Sequence, residues 1–308
     1  MEEKKSVSKS AVWLALVGVY IGWGVIFLAN KYALKAFPPF MMNGARNLLA
    51  GIILYAFLRL RGAAPPAARM WRPAFWVGFV MFCCGSGPMF WGQLRIPSGI
   101  SALIIGATPL WMVILDIIIS KRAKAPGPGV VSVLGVLIGF SGIVLLIGPL
   151  NILGAHGELH LLSAAAMIGG AFFWAAGSLM SRTADLPASR TLGSSMLMIG
   201  GGLTLIAAGV LMGEAGQLSL DRISLSAVLG FAYATFGGAL FSFALYAWLL
   251  TVAPAALAST YAFVNPIVAV ILGVIVLNED FSLRYLIASA LILVAVIIVT
   301  IASGKKSG

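Results

Sequence analysis

The amino-acid sequence predicts an all-α polytopic membrane protein, with ten transmembrane helices arranged as two inverted five-helix repeats. Three observations lead to this fold class: the composition, a series of apolar stretches, and a spacing pattern that occurs twice. Residues of the set A, V, I, L, M, F, W, Y and C make up 61% of the 308 residues, and charged residues make up 9%. The mean hydropathy is +1.05. Soluble domains carry about 25% charged residues, so we expect most of this chain to lie in a lipid bilayer.

Apolar stretches of about 20 residues, the length at which a helix crosses a bilayer, recur along the whole chain. Ten are predicted, at residues 12–34, 39–58, 73–94, 97–120, 130–148, 161–181, 191–212, 224–250, 254–277 and 283–302. Arg46 interrupts the second stretch, and only a short turn ending at Pro254 separates the eighth from the ninth. Since the ten stretches account for nearly all of the chain, we expect no soluble domain.

The spacing of one tryptophan and two prolines occurs twice. The pattern W-x5-P-x11-P begins at Trp91 and again at Trp248, 157 residues later. A looser pair, Trp23 and Trp174, is displaced by 151 residues. An offset that keeps its order over most of the chain predicts a duplicated sequence.

The duplication divides the chain into two halves. The predicted boundaries are residues 1–150 for the first repeat and 151–308 for the second, with five spans in each. Because five is an odd number, the second half must lie inverted relative to the first. Many secondary transporters are built in this way, with the substrate bound between the two repeats.

Basic residues are distributed unevenly between the two sides of the predicted membrane. With both termini in the cytoplasm, 14 Lys and Arg residues lie inside and 4 lie outside, while Lys31 and Arg46 fall within spans. Cytoplasmic loops carry an excess of basic residues, so both termini are predicted to be cytoplasmic. The net charge of +11 is therefore interpreted as an insertion signal and not as a nucleic-acid surface.

Polar and aromatic side chains share helical faces on six of the predicted spans. We predict that they line one substrate pathway, formed by Tyr20, Phe27, Ser86, Phe90, Gln93, Ser101, Thr108, Trp174, Tyr246, Tyr261 and Asn265. For any single Ser or Thr the alternative is a hydrogen bond across packed helices, which is common in membranes. Six such faces together favour a shared hydrated cavity.

Three prolines within spans are predicted hinges: Pro88, Pro109 and Pro266. A proline inside a helix removes a backbone hydrogen bond and favours a kink. Pro109 frees the carbonyl of Ile105, and freed carbonyls at membrane depth must face protein or water. A kink that serves packing alone stays open for Pro88, which has Leu245 at its repeat position.

Two basic residues, Lys31 and Arg46, lie within predicted spans. Lys31 is close to the outer end of its span and can extend its amine to the interface. Arg46 lies about 10 Å along the second span, where a functional role and a structural anchor are both open. No acidic residue is placed near the middle of a span, which disfavours coupling through a buried carboxylate. No catalytic constellation, metal site or cofactor site is expected.

Several motifs resemble one transporter family. They are Trp23-Gly24-Val25-Ile26-Phe27 in the first span, Arg46 in the second, a proline in the fourth and in the ninth, and Asn278-Glu279 before the last. The chain resembles the EamA-type branch of the drug/metabolite transporter superfamily, in which the last motif is Gly-Glu. The resemblance implies transport, and the aromatic content and neutral cavity look closest to bacterial exporters of aromatic and other neutral amino acids.

The expected function is therefore export of small neutral amphipathic metabolites, chiefly amino acids, across a bacterial inner membrane by alternating access. A multidrug or nucleotide-sugar carrier of the same fold is the alternative within transport. Sugar phosphates need two or more cavity cations, and only Lys31 and Arg46 are candidates. A passive channel and an intramembrane enzyme are the alternatives from other classes. The expected partners are a small-molecule substrate and lipid; a monomer suffices for this architecture, and the sequence predicts no oligomeric state.

Overall fold

The computed structural model describes residues 8–122, 129–147, 160–218, 220–252, 261–279 and 282–304. The regular structure in these ranges is helical, and they contain no β-strand. We number the apolar helices in chain order as α1 (Lys9–Gly24 and Ile26–Ala33), α2 (Pro39–Leu60), α3 (Ala68–Gln93), α4 (Ser98–Gly106 and Thr108–Arg122), α5 (Val130–Ile147), α6 (Leu161–Thr183), α7 (Arg190–Leu211), α8 (Leu225–Ala232, Tyr233–Ser242 and Phe243–Val252), α9 (Tyr261–Leu277) and α10 (Leu283–Gly304).

The observed helices agree closely with the predicted apolar stretches. Every end that lies in the described residues falls within five residues of its predicted position. The predicted start of the ninth stretch, at Pro254, and the predicted boundary between the halves, at residues 150 and 151, lie outside the described residues.

Length and apolarity decide which helices can cross a bilayer. Among the described residues seven helices are long and apolar enough, while α5, α9 and α10 have shorter apolar stretches of 10–17 residues. Large apolar side chains also cover the outside of the bundle, among them Leu14, Val130, Leu211 and Ile275. This surface suits contact with lipid. The protein is thus a helical membrane protein, and the ten crossings and the two repeats remain predictions.

The helices pack in a regular pattern between the two predicted halves. α2 packs along α7, α5 along α10, and α4 along α9. The first helix of each predicted half packs on the other half: α1 packs mainly on α8 and α9, and α6 packs mainly on α3 and α4. If every helix is replaced by the helix five places away along the chain, so that α1 becomes α6 and α2 becomes α7, each contacting pair becomes either the same pair or another pair of this set.

Two helices contain a π-helical segment, in which the hydrogen bonds span one residue more than in an α-helix. The segments are Phe79–Ser86 in α3 and Tyr233–Ser242 in α8. If the first segment is shifted along the chain by 157 residues, the offset between the two sequence patterns, it overlaps the second segment. Pro88 lies two residues after the end of the first segment, but Leu245 takes the corresponding repeat position after the second. The π turn therefore does not depend on a proline.

The other two predicted hinges differ from each other. α4 is interrupted at Ala107, directly before Thr108 and Pro109. Pro266 instead lies inside α9, which is continuous from Tyr261 to Leu277. The helix break is therefore present at one member of the repeated proline pair and absent at the other within the described residues.

Candidate functional site

Three aromatic rings meet where α1 contacts α8 and α9. The ring of Trp23 lies 4.5 Å from that of Tyr261 and 5.3 Å from that of Tyr246, measured between centroids. The two tyrosine rings are 5.3 Å apart in an edge-to-face arrangement, and their side chains are hydrogen-bonded to each other. We call these three residues the aromatic cluster. Such rings offer both flat apolar faces and hydroxyl groups to a ligand.

Asn265 lies next to the aromatic cluster and is buried. Tyr261 and Asn265 are four residues apart on α9 and thus share one helical face. With its amide oriented to satisfy its neighbours, Asn265 Nδ2 donates to the carbonyl of Tyr261 at 3.1 Å and to that of Tyr20 at 3.3 Å. The amide therefore joins α9 to α1. The NH2 group of Asn265 therefore bonds to two backbone carbonyls of the protein.

The aromatic cluster is fixed to α8 through its π-helical segment. Trp23 Nε1 donates to the carbonyl of Gly238 at 2.9 Å, and the hydroxyl of Tyr233 donates to the carbonyl of Gly22 at 3.3 Å. A Cβ atom at Gly22 would lie 2.0 Å from Ser242 Oγ, so glycine is required for this close approach. Trp23 of the family motif and Gly22 directly before it therefore set the contact between the two predicted halves.

A second group of polar residues lies between α2 and α3, and we call it the arginine cluster. Arg46 Nη2 donates to Asn43 Oδ1 at 3.2 Å, and Asn47 Nδ2 donates to the same oxygen at 2.8 Å. Asn43 Nδ2 donates to Ser86 Oγ at 2.7 Å, whose hydroxyl in turn donates to a backbone carbonyl of α3. The guanidinium carbon of Arg46 lies 4.9 Å from the ring centre of Phe90. Three neighbouring positions on one face of α2, at i, i+3 and i+4, supply this group.

A third group, the outer cluster, lies at the ends of α1 and α3 and the beginning of α4. Lys31 Nζ donates to the backbone carbonyl of Gln93 at 2.6 Å, and Asn30 Nδ2 donates to Gln93 Oε1 at 3.3 Å. Nearby, the carboxylate of Glu279 accepts hydrogen bonds from the backbone of Ser98 and Gly99. Lys31 thus contacts the end of α3, and the extension of its amine to the interface stays a prediction.

The remaining predicted pathway residues make local or isolated contacts. Ser101 Oγ donates to the carbonyl of Ile96 at 3.4 Å and lies 3.9 Å from a methionine sulfur of α6. Thr108 Oγ1 donates at 2.5 Å to the carbonyl of Ile105, the group that Pro109 deprives of its usual partner. That carbonyl is therefore satisfied within its own helix.

Trp174 and Phe27 are not members of the aromatic cluster. The ring of Trp174 packs edge-to-face on Phe82 in the π-helical segment of α3, at 5.4 Å. Trp23 likewise contacts a π-helical segment, that of α8. The two tryptophans that the sequence spacing relates therefore each lie against the π-helical segment of the helix on which they pack. Phe27, one turn beyond Trp23 on α1, is half-buried.

Two cavities are described, and both are lined mainly by apolar side chains. One, of about 260 Å³, is lined by residues that include Phe37, Met41 and Phe231. The other, of about 210 Å³, lies between α4, α9 and α10 beside Pro266. Pro266 is thus the predicted site residue that borders one of these cavities. The shared substrate cavity stays a prediction.

Comparison with known proteins agrees with the helical architecture and the two-part chain. The sequence profile of the EamA-like transporter family matches residues 9–148 and again residues 161–301. This chain belongs to the EamA-like transporter family. The family match covers both parts of the chain separately, on either side of the connection between α5 and α6. A transporter, and not an enzyme, is what this membership indicates.

Relatives of this EamA-like transporter occur in bacteria and plants. The inner membrane transporter YedA of Escherichia coli K12 is 30% identical over 293 residues, covering 93% of this chain and 90% of YedA. A chloroplastic WAT1-related protein of Arabidopsis thaliana is 27% identical over 95% of this chain and 70% of its own length. PecM of Dickeya dadantii is 26% identical over 90% of this chain and 88% of its own length. One solved crystal structure, 18% identical, matches with a TM-score of 0.59 over 98% of this chain and 100% of that chain, which shows a shared fold.

Sequence reasoning missed several members of the three clusters. The residues that were not predicted as site residues are Asn30, Asn43, Asn47 and Glu279. Trp23 was also not predicted as a site residue, but it appeared in the family motif. A signal was available for two of them, because Asn43 and Asn47 flank Arg46 on one helical face. The partners of Glu279 lie 180 and 181 residues away along the chain, and no local pattern indicates them.

Proposed function

We propose that this EamA-like transporter is an alternating-access carrier built from two inverted five-helix halves, residues 1–150 and 151–308. It exports small neutral amphipathic metabolites, namely amino acids and aromatic ones among them, across the bacterial inner membrane. Both termini lie in the cytoplasm. The inner membrane location is the one stated in the name of the relative YedA.

The observation that supports this proposal best is the position of the aromatic cluster. Trp23 comes from the first half, and Tyr246 and Tyr261 come from the second. A substrate bound against this cluster contacts both halves, which is what alternating access requires, because rocking of one half against the other then changes the contacts. Ring faces and hydroxyl groups at this place fit an apolar side chain with polar ends.

The charges near the clusters favour amino acids over phosphorylated substrates. Nucleotide sugars need two or more cavity cations, because each phosphate carries charge that must be paired after desolvation. Lys31 donates to the carbonyl of Gln93 in the outer cluster and lies apart from the aromatic cluster. Arg46 is then the single basic side chain of the arginine cluster. This balance supports a substrate with at most one unpaired negative charge.

Counterflow in proteoliposomes tests the proposed function. Vesicles loaded with unlabelled phenylalanine, tryptophan or alanine should take up the same labelled amino acid faster than empty vesicles, and uptake should saturate. A channel gives neither saturation nor stimulation by internal substrate. Counterflow with dyes or nucleotide sugars, and none with any amino acid, would replace this substrate class by the alternative one. Chemical conversion of a labelled compound would indicate an enzyme.

A further inference from the structure

Arg46 carries a positive charge that the described part of the protein leaves largely unpaired. The residue is 9% exposed, yet its side chain makes a single hydrogen bond among the described residues, from Nη2 to Asn43 Oδ1. Its Nε is buried without a hydrogen-bond partner there. A guanidinium has five N–H groups, so the arginine cluster satisfies only a fraction of them. Within the described residues one salt bridge occurs, between Arg69 and Asp185. It lies at the surface and does not involve Arg46.

The neighbours of Arg46 do not require its charge. Asn43 Oδ1 also accepts from Asn47 Nδ2 at 2.8 Å, the shorter of its two bonds, so it remains satisfied without the arginine. Asn43 Nδ2 is bonded to Ser86 in a network that does not involve Arg46. A structural anchor would leave partners unsatisfied when removed, and none is left among the residues that the structure describes. A buried charge without a counter-charge is costly in free energy, so a cause other than packing is needed to explain an arginine at this position.

The geometry around the guanidinium prepares it for an anion. The ring of Phe90 lies 4.9 Å from the guanidinium carbon, which stabilises the cation without using its N–H groups. Asn43 restrains one nitrogen. The fork of N–H groups on arginine matches the two oxygens of a carboxylate, which it binds in a bidentate manner. One positive charge balances one carboxylate, whereas a phosphate ester at neutral pH carries more.

We propose that Arg46, oriented by Asn43 and Phe90, binds the carboxylate of the transported substrate. The proposal deepens the proposed function, and it rests on that function only for its transport measurement. Arg46 is then a specificity-determining residue: a substrate needs a carboxylate, and the corresponding amide or amine is a poor substrate. The ligand class is an organic monocarboxylate, and this includes the amino acids.

Binding of a simple carboxylate to the purified full-length protein tests the site without transport. Sodium benzoate should raise the unfolding temperature of the wild type in detergent, while benzamide and sodium chloride at equal concentration should not. Arg46→Met should lower the apparent affinity for benzoate roughly ten- to a hundredfold, the range expected for hydrogen bonds to a charged group. Arg46→Lys should retain part of the affinity, because it keeps the charge but loses the fork. The matched control is Arg69→Met, which removes an exposed arginine and should bind benzoate as the wild type does.

The stability of the ligand-free variant separates the binding role from a structural one. Arg46→Met leaves Asn43 bonded and removes a buried charge, so it should unfold at the same temperature as the wild type or higher. A lower unfolding temperature together with an unchanged benzoate response would establish a structural anchor and overturn the proposal. An equal response of the wild type to benzoate and chloride would also overturn it. If Arg46→Met does not fold, Arg46→Lys decides, and a benzoate affinity unchanged from wild type contradicts bidentate binding.

Transport measurements distinguish failure of the site from failure of the proposed function. With phenylalanine and phenylalaninamide in counterflow, the wild type should prefer the acid, and Arg46→Met should lose that preference. Counterflow of both compounds at equal rates in both proteins would keep the carrier and exclude the carboxylate site. A benzoate effect that depends on Arg46, without counterflow of any amino acid, would keep the site and exclude amino acids as substrates.

Discussion

The carboxylate of Glu279 caps a helix that begins 181 residues earlier in the chain. Its Oε1 accepts the backbone N–H of Ser98 at 2.6 Å, and its Oε2 accepts the Ser98 hydroxyl at 3.0 Å and the N–H of Gly99 at 3.2 Å. The first N–H groups of a helix have no partner within it, and a negative charge there is favourable. Glu214 repeats the arrangement at the start of α2, where it accepts the N–H of Met41 at 2.8 Å.

Replacement of Glu279 by alanine should destabilise the protein. Three donors at the start of α4 lose their acceptor, so we expect a loss of about 1–3 kcal/mol in the free energy of unfolding. Unfolding in mixed micelles by sodium dodecyl sulfate measures it. Asp185→Ala serves as the control, because that carboxylate forms an exposed ion pair worth about 0–1 kcal/mol. Equal losses for the two variants would contradict a capping role.

The close contact of α1 with α8 predicts a strong effect of one methyl group. In Gly22→Ala the new Cβ would lie 2.0 Å from Ser242 Oγ, which donates to the carbonyl of Gly237 at 2.7 Å. The serine must move and give up that bond, or the helices must separate, so we expect a loss of about 1–3 kcal/mol. Gly169→Ala in α6 is the matched control, since nothing lies within 4 Å of its added Cβ. A control variant as unstable as Gly22→Ala would show that the contact is not the cause.

Thr108 and Pro109 should be energetically coupled. Thr108→Val leaves the carbonyl of Ile105 without its donor and should cost about 1–2 kcal/mol. In the Pro109→Ala background the new N–H can bond the same carbonyl, so the same change should cost clearly less. A double-mutant cycle of unfolding free energies measures the difference. Additive effects would show that the threonine does not compensate for the proline.

Pro109→Ala should impair transport more than stability. The variant allows α4 to close its break at Ala107, which favours one access state over the other. We expect counterflow to fall several-fold while the amount of folded protein stays unchanged. Wild-type counterflow rates would indicate that the break serves packing alone.

The aromatic cluster should determine affinity for aromatic substrates. Replacing Tyr246 or Tyr261 by Leu keeps an apolar side chain but removes a ring interaction worth about 0.5–1.5 kcal/mol. The apparent affinity for phenylalanine should then fall roughly two- to tenfold, while that for alanine changes little. Trp174→Leu is the comparison, because its ring packs on Phe82 and not on the cluster. Equal losses for both amino acids would contradict contact of these rings with the substrate side chain.

The helices could be predicted from the sequence because lipid imposes a simple rule on them. Every backbone group must be bonded within its own helix, so apolar length alone indicates where a span begins and ends. The π-helical segments Phe79–Ser86 and Tyr233–Ser242 could not be predicted in this way. A shift of hydrogen bonds by one residue changes no composition and arises from the fit between helices.

The candidate site was predicted only in part, for a related reason. Helical spacing shows which residues share a face of one helix, and it placed Tyr261 at the edge of the face that carries Asn265. It does not show which helix that face meets, and Ser86 and Tyr246, both predicted for the substrate pathway, contact different clusters. Arg46 was recognised as exceptional, while its partner Asn43 was not.

The packing of α1 and α6 on the opposite predicted halves has a consequence for how the protein is made. A ribosome completes α1 at Ala33, but the helices on which α1 mainly packs begin only at Leu225. During that interval the close-packing surface around Gly22 faces lipid and has no partner. A nascent chain that stops before α8 therefore carries a first helix whose main packing surface is still uncovered.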